Sequence, residues 1–495
     1  MAPSERRLLV GIDIGTTATK VAVLDVDAGR VATESAPSAL TSPLAGGAEA
    51  DPRQWWANVC ALIPRALAGA EGRADAVVGV AVTGMVPAVV LTDAGGAPVR
   101  GAMLQNDARA VREIDDVRAR MDDLDVVALT GSVVSQQSVG PKLRWVAAHE
   151  PDVFAGAARV MGSYEWVAGA LGAAPHLEEN WALESGLFGL DGTPFAEALD
   201  AAEVDAGLLA GVVAPGRQVG EVSSRAAEAT GLRAGTPIVA GGADHVLAAY
   251  AAGLTQPGDW LVKLGGAGDI LAVSENRVVD ARLYLDHHAI PGLWLSNGCM
   301  ATSGSLLRWV QVLLGGVDLA ALDREAEVAE PAAVLCLPHF LGEKSPLHDP
   351  ALRGAFLGLH LGHSRADVYR SCLEAVAYGM RQHVEIFEEL GLRLERAIVT
   401  NGGSKSLLWK QILADVLNRP LATIAESAGA SLGAAIVAGV GTGAIVGWDM
   451  PQRLVRRDAV IPPRPELVAR YDEAFQLFGE AQRAVTPISH ALSRA

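Results

Sequence analysis

Residues 8–26, LLVGIDIGTTATKVAVLDV, constrain the fold of this chain more than any other stretch. Leu8, Val10, Ile12 and Ile14 alternate with Leu9, Gly11 and Asp13 in a nearly continuous apolar run. That period of two over apolar residues predicts a strand buried on both faces. Gly15-Thr16-Thr17-Ala18 interrupts it, and alternation resumes from Thr19 to Leu24, so the whole reads as a hairpin with a glycine-threonine tip. Glycine lets backbone approach a ligand closely, and such a tip can aim amide groups and two hydroxyls at an anion. Asp13 is the only acid in the first strand and falls roughly across from Lys20. Two readings stay open at this point: a plain cross-strand ion pair, or a phosphate cradle with a carboxylate for magnesium.

The chain has 495 residues, half of them hydrophobic, and a formal net charge of -17. That length predicts two or three domains, and the acidic balance argues against nucleic acid or an anionic membrane as a bulk partner. The four cysteines, Cys60, Cys299, Cys336 and Cys372, are far apart in sequence and lack CxxC spacing, which points away from a disulfide framework or a zinc site. Reduced thiols fit a cytoplasmic protein. The first residues, MAPSERRLLV, run directly into the strand and leave no room for a signal-peptide apolar region. The uncharged run AGASLGAAIVAGVGTGAIVG, residues 428–447, carries too many glycines for a spanning helix and reads as a close-packed buried helix.

Taken in order, Asp51-Pro52 opens an amphipathic helix, and residues 77–91 read as strand, turn, strand, with Gly84-Met85-Val86-Pro87 at the turn. Residues 103–109, MLQNDAR, place Gln105, Asn106, Asp107 and Arg109 where they could line a cleft or cap the following helix. Residues 191–235 are rich in Ala, Gly and Pro and read as a peripheral insertion. Residues 237–253, PIVAGGADHVLAAYAAG, read as strand, glycine turn and helix. Asp244 is then either a helix cap or a general base, and His245 either a solvent-facing residue or part of a site.

The opening pattern then recurs. Residues 260–273, WLVKLGGAGDILAV, again read as strand, glycine-rich tip, strand, and Leu264 to Gly268 can be laid on Ile14 to Ala18. Two such hairpins, each opening a long mixed α/β stretch, predict a duplicated two-domain architecture. Further on, residues 365–390 predict one long amphipathic helix, residues 397–406 a strand and Gly-Gly turn, and the last 45 or so residues coil and a final helix. No GxxxxGK[ST] occurs, so a P-loop kinase is not indicated. GVGTG at 439–443 lacks the preceding strand that a dinucleotide fold needs, and His360-x-x-His363 lacks a partner ligand at metal spacing.

GIDIGTT at 11–17, PKLRW at 141–145, GGADH at 241–245, LGEKSPLHDPALRGAFLGL at 341–359 and TNGGSKSLLWKQILADVL at 400–417 resemble, in order, the motifs of the FGGY carbohydrate kinases. Residues 354–374 match that family's C-terminal signature apart from Cys372. The resemblance, strongest to the xylulokinases, implies an α/β actin-like ATPase fold: two ribonuclease-H-like domains with a central ATP/sugar cleft. It implies a sugar-and-phosphate domain over 1–253, a nucleotide domain over 254–450 and a C-terminal coil and helix over 451–495. It implies Mg-ATP-dependent phosphorylation of a hydroxyl on a small sugar or polyol, with no nucleic acid or membrane partner. A homodimer is allowed and not specified.

Carried over by motif, Asp13 matches the magnesium aspartate, with Thr16, Thr17 and Lys20 near the phosphates. Asp244 matches the catalytic base. Gly265 and Gly266 match a second phosphate loop, and Gly304, Leu307, Gly402 and Gly403 the nucleoside side. Met85, Val86, Gln105, Asp107, Arg109, Asp244 and His245 match substrate positions. Some of these depart from the pattern. Val86 stands where xylulokinases carry His, Gln105 where a Trp is frequent, Gly266 where a Thr is usual, and His245 where relatives have Asn or Gln. Glycerol kinases would carry Arg and Glu at 85 and 86. The alternatives are a kinase of another ketose or polyol, such as ribulose or erythritol, and a non-catalytic nucleotide-dependent sensor on the same fold.

Overall fold

The computed structural model describes residues 6–44, 46–400, 402–424, 429–457 and 460–493. Asn401 of the TNGGSKS motif and Ala428, the first residue of the glycine-rich run, lie outside these. The chain divides into two compact units: Met1–Thr255 with Asp286–Leu293 and Ser427–Val455, and Gln256–Leu285 with Trp294–Glu426 and Arg456–Ala495. The stretch 254–450 is thus shared between the two units.

The first unit begins with strands β1 (Leu8–Ile14), β2 (Ala18–Asp25) and β3 (Arg30–Pro37), an antiparallel meander. Every residue of β1 is buried, as the two-sided apolar pattern requires. Helix α1 (Pro52–Gly69) comes next, with the Asp51 carboxylate accepting from the Arg53 amide at its start. Strand β4 (Val77–Gly84) runs parallel to β1. Residues 191–235 supply β5 (Gln218–Glu221), the antiparallel edge strand, and are therefore part of the first sheet. Strand β6 (Pro237–Ala243) lies parallel to β4 and leads directly into helix α2 (Asp244–Ala251). The six-stranded order is β5-β6-β4-β1-β2-β3.

The second unit repeats this plan. Strands β7 (Asp259–Leu264), β8 (Gly268–Ser274), β9 (Tyr284–His287, whose last residues Asp286 and His287 are grouped with the first unit) and β10 (Trp294–Met300) precede helix α3 (Gly304–Leu313), the long helix α4 (Arg365–Glu389), strand β11 (Arg396–Thr400), helix α5 (Leu407–Leu417) and strand β12 (Leu421–Thr423). The order β9-β10-β8-β7-β11-β12 has an antiparallel meander on one side of β7 and parallel neighbours on the other, as around β1. Ser364 and Asp367 cap α4 reciprocally, and its apolar face forms much of the second core.

Helix α6 (Gly429–Gly441) packs on β1, β4 and α2 of the first unit. A side chain at Gly11 would place its Cβ 1.9 Å from the Ser431 carbonyl oxygen, and one at Gly433 2.2 Å from that of Leu247. The glycines therefore permit backbone-to-backbone contact, and Gly439 and Gly441 of the GVGTG run are spent on the same packing. Among the described residues no helix is long and apolar enough to cross a membrane. The final helix, α7 (Pro465–Ser493), packs on the second unit.

Candidate active site

In the first unit the C-terminal ends of the parallel strands β1, β4 and β6 lie side by side, with Asp13 in register with Thr83 and Thr83 with Gly242. Open α/β sheets bind ligands at such strand ends. Asp13 sits just before the tip, across from Lys20 as the alternation predicts. The Gly15 amide donates to the Ala18 carbonyl (3.1 Å) and closes the tip. The Thr16 hydroxyl receives the Gln105 amide nitrogen at 3.4 Å and lies 3.9 Å from the Met85 sulfur. Thr17 and Lys20 are exposed. Met85 and Val86 are buried, and the Met85 amide is held by the Ile14 carbonyl at 3.0 Å. Thr16, Met85 and Gln105, distant in sequence, are thus gathered at one strand end.

Asp107 and Arg109 are committed to each other. The guanidinium grips both carboxylate oxygens at 2.7–3.1 Å and also reaches Glu49 at 2.7 Å. Asp107 further accepts from the Ala48 amide, and Arg109 lies over the Trp145 ring. What this pair can do for a ligand is to hold the Gln105 loop. This cluster does not cap the following helix: Val111–Arg120 starts from Ala110 without a side-chain cap. Lys142 of the PKLRW motif lies beneath this loop and donates to the Leu104 carbonyl at 2.9 Å. Burial, against the pull of Asp107, brings its amine down to about 7.

At the end of β6 an extra residue, Gly241, bulges the strand between the pairs Ala240–Val82 and Gly242–Thr83, and the Thr83 hydroxyl ties the Gly242 carbonyl at 2.6 Å. A bulge re-aims the side chains beyond it, and Asp244 stands just past this one. The N-cap is Ala243, so Asp244 enters as the first helical residue rather than the cap. Its side chain is 36% exposed.

His245 is not the solvent-facing residue that its helical position allows. Its Nε2 is 3.0 Å from Asp286 Oδ2 and 3.9 Å from Glu184 Oε1, and its Nδ1 is 3.6 Å from Asp244 Oδ1. Burial alone would discharge the imidazole, but Asp286, Asp244 and Glu184 outweigh it and hold the ring protonated well above its ordinary value. Burial and the neighbouring Asp286 push the Glu184 carboxyl up. Glu184, His245 and Asp286 place one donor atom each within 4.8 Å of one another, the one such group among the described residues. The imidazolium itself supplies the positive charge that these carboxylates require. Glu184 and Asp286 escaped the motif reading, and the only hint was an acid in NWALE and another in the DHH of 286–288. His360 and His363 turn their ring nitrogens to backbone amides of their own loop.

In the second unit the matched glycines converge. The Gly265 carbonyl accepts from the Gly304 amide (2.7 Å), and the Gly266 carbonyl from those of Ser303 (2.8 Å) and Ser305 (3.1 Å). A Cβ on Gly304 would lie 2.6 Å from the Gly265 oxygen, and one on Gly403 2.6 Å from the Leu264 Cβ. Gly266 and Gly402 face open space. Leu307 is a core residue of this unit.

The cation that ATP brings is a test of this donor set. A hard divalent ion takes oxygen ligands. The Asp13 Oδ1 lies 3.9 Å from the point a Gly15 Cβ would occupy, beside the tip, so the oxygen donor present there fits magnesium.

Two six-stranded mixed sheets of matching topology, each with a glycine hairpin at its centre, define a two-domain α/β fold of the actin-like ATPase class. The chain belongs to the FGGY family of carbohydrate kinases, whose N-terminal domain matches residues 8–251 and whose C-terminal domain matches residues 268–442. It is therefore a phosphotransferase acting on a carbohydrate. The crystal structure of xylulose kinase from Rhodospirillum rubrum is 41% identical, with a TM-score of 0.90 over 98% of this chain and 100% of that one. Xylulose kinase from Lactococcus lactis is 25% identical over 98% of each chain. Autoinducer-2 kinase from Yersinia enterocolitica is 28% identical over 94% of this chain and 92% of that one.

Proposed function

We propose that this kinase transfers the γ-phosphoryl group of ATP to a hydroxyl of xylulose or a closely similar five-carbon ketose, with Asp244 as the general base. The new bond joins the sugar oxygen to phosphorus, the bond to the bridging oxygen breaks, ADP leaves, and the hydroxyl proton goes to Asp244. The observation that carries this reading is that Asp13 and Asp244 stand at the same end of neighbouring parallel strands: Gly242, two residues before Asp244, lies two strand spacings, about 10 Å, from Asp13. That separation leaves room for a phosphoryl group and its acceptor between a phosphate-binding tip and a carboxylate. Phosphoryl transfer asks mainly for positioning and charge compensation.

In this reading the first unit takes the sugar and the phosphates. Asp13 holds magnesium, and Thr16, Thr17, Lys20 and the tip amides hold the β- and γ-phosphates. Met85, Val86 and Gln105 border the sugar, His245 stands against Asp244, and Asp107 and Arg109 brace that border. When bound, magnesium offsets charge on the phosphates. The second unit takes the nucleotide, with the Gly265–Gly266 amides toward phosphate and Gly304, Leu307, Gly402 and Gly403 shaping the nucleoside side.

The test is Asp244→Asn in the full chain. Turnover should fall by at least about a thousandfold while ATP binding persists. Near-normal turnover would remove Asp244 as base. A second reading, a kinase of another ketose or polyol, is favoured by the apolar Met85–Val86 pair and by the relative named for autoinducer-2. Coupled ADP detection across five-carbon ketoses and four- to six-carbon polyols separates the two.

A further inference from the structure

We propose that His245 is a positioning residue: it bridges the exposed carboxylate of Asp244 to the buried carboxylate of Asp286, and so fixes the base instead of binding a sugar hydroxyl. This rests on the reading of Asp244 as base. An imidazolium has two N–H groups, and both face carboxylates here, Nε2 toward Asp286 and Glu184 and Nδ1 toward Asp244. The ring is 14% exposed and the Asp286 side chain 1%, so Asp244 is the exposed end of a chain otherwise anchored inside the unit.

The anchor is itself held. Asn180 donates to the His287 carbonyl (3.0 Å) and accepts from the His287 amide (2.6 Å), clamping the backbone next to Asp286. The same Asn180 amide reaches Glu178 at 3.3 Å, and Glu178 accepts from the Tyr164 hydroxyl at 2.8 Å. All of these side chains are buried. Asp244 sits on the first turn of a helix, where its own rotamers are open to water. A fixed cation beside it limits where the carboxylate points without removing it from solvent. The sugar proton goes to Asp244, and the imidazole keeps its own.

The experiment uses the full chain with Mg-ATP and D-xylulose, or the best acceptor from the panel. His245→Gln should lower kcat by roughly a hundredfold, the scale of misplacing a catalytic group by about 1 Å, with KM changed less than about threefold. Asp286→Asn should act in the same direction, and the double variant should be little worse than either single one, because both break one bridge. The alkaline limb of the wild-type pH profile, set by loss of the imidazole proton, should vanish in His245→Gln. If either variant melts below assay temperature, His245→Ala assayed with and without added imidazole replaces it, and rescue of kcat supports the bridge. A rise in KM with kcat intact would make His245 a sugar contact and overturn the proposal. Unchanged kcat with an unchanged pH profile, or no rescue in a folded His245→Ala, would also overturn it. Failure of the base reading is distinct: there Asp244→Asn itself turns over normally, whatever His245 does.

Discussion

In the first hairpin the acid stands on the incoming strand, Asp13, and the lysine on the outgoing one, Lys20. In the second the order reverses, with Lys263 incoming and Asp269 outgoing. Lys263 and Asp269 close a salt bridge at 2.8 Å. Burial opposes ionisation of Asp269, but Lys263 and the neighbouring donors prevail and draw its carboxyl down to about 2. Lys20 is exposed, and the Asp13 carboxylate lies beside its own tip. The tips differ in the same sense. One carries two threonine hydroxyls, while the other carries glycines whose carbonyls are tied to the start of α3. The same strand-tip-strand topology thus serves one hairpin whose tip carries side-chain hydroxyls and another whose tip is tied through its backbone.

The contrast is broken most severely at Asp13. Asp13→Asn should reduce kcat by about a thousandfold with a melting temperature close to wild type, and activity within tenfold of wild type would end the division of labour. Thr16→Val should come next, costing about tenfold in turnover for one lost hydroxyl contact. Asp269→Asn should leave turnover within a few-fold and instead cost stability, about 2 kcal/mol at pH 7, read by thermal or urea unfolding. A depressed carboxyl sets the sign. The stabilisation is present above the unfolded value near 4 and is lost as pH falls through about 2, so the gap between variant and wild type should be flat from pH 5 to 8. Gly266→Ala should do least, within about threefold in KM for ATP, because its Cβ would point into open space. A larger effect there than from Thr16→Val would reverse the comparison.

Much of this was legible in the sequence, because local patterns produced it. The alternation around Asp13 set the hairpin and its register to Lys20, Asp51-Pro52 marked the start of α1, and the recurrence at 260–273 announced the second sheet. What escaped depends on partners far along the chain. Asp107 and Arg109 are absorbed by Glu49 and Ala48, and no spacing within MLQNDAR reveals that. His245 meets Glu184 and Asp286, 61 and 41 residues away, through packing that carries no periodic signal. The glycine-rich run at 429–441 was legible as a buried helix, but not as one that belongs to the first unit.

That helix has a consequence for how the chain is made. β1 leaves the ribosome early, yet the helix that covers it, in contact so close that Gly11 admits no side chain, is synthesised some four hundred residues later. At ordinary elongation rates the face of β1 that this helix covers stays uncovered for about 20–80 seconds. The first unit is first to be started and cannot be finished until the second is nearly complete, so the two glycine hairpins mature together.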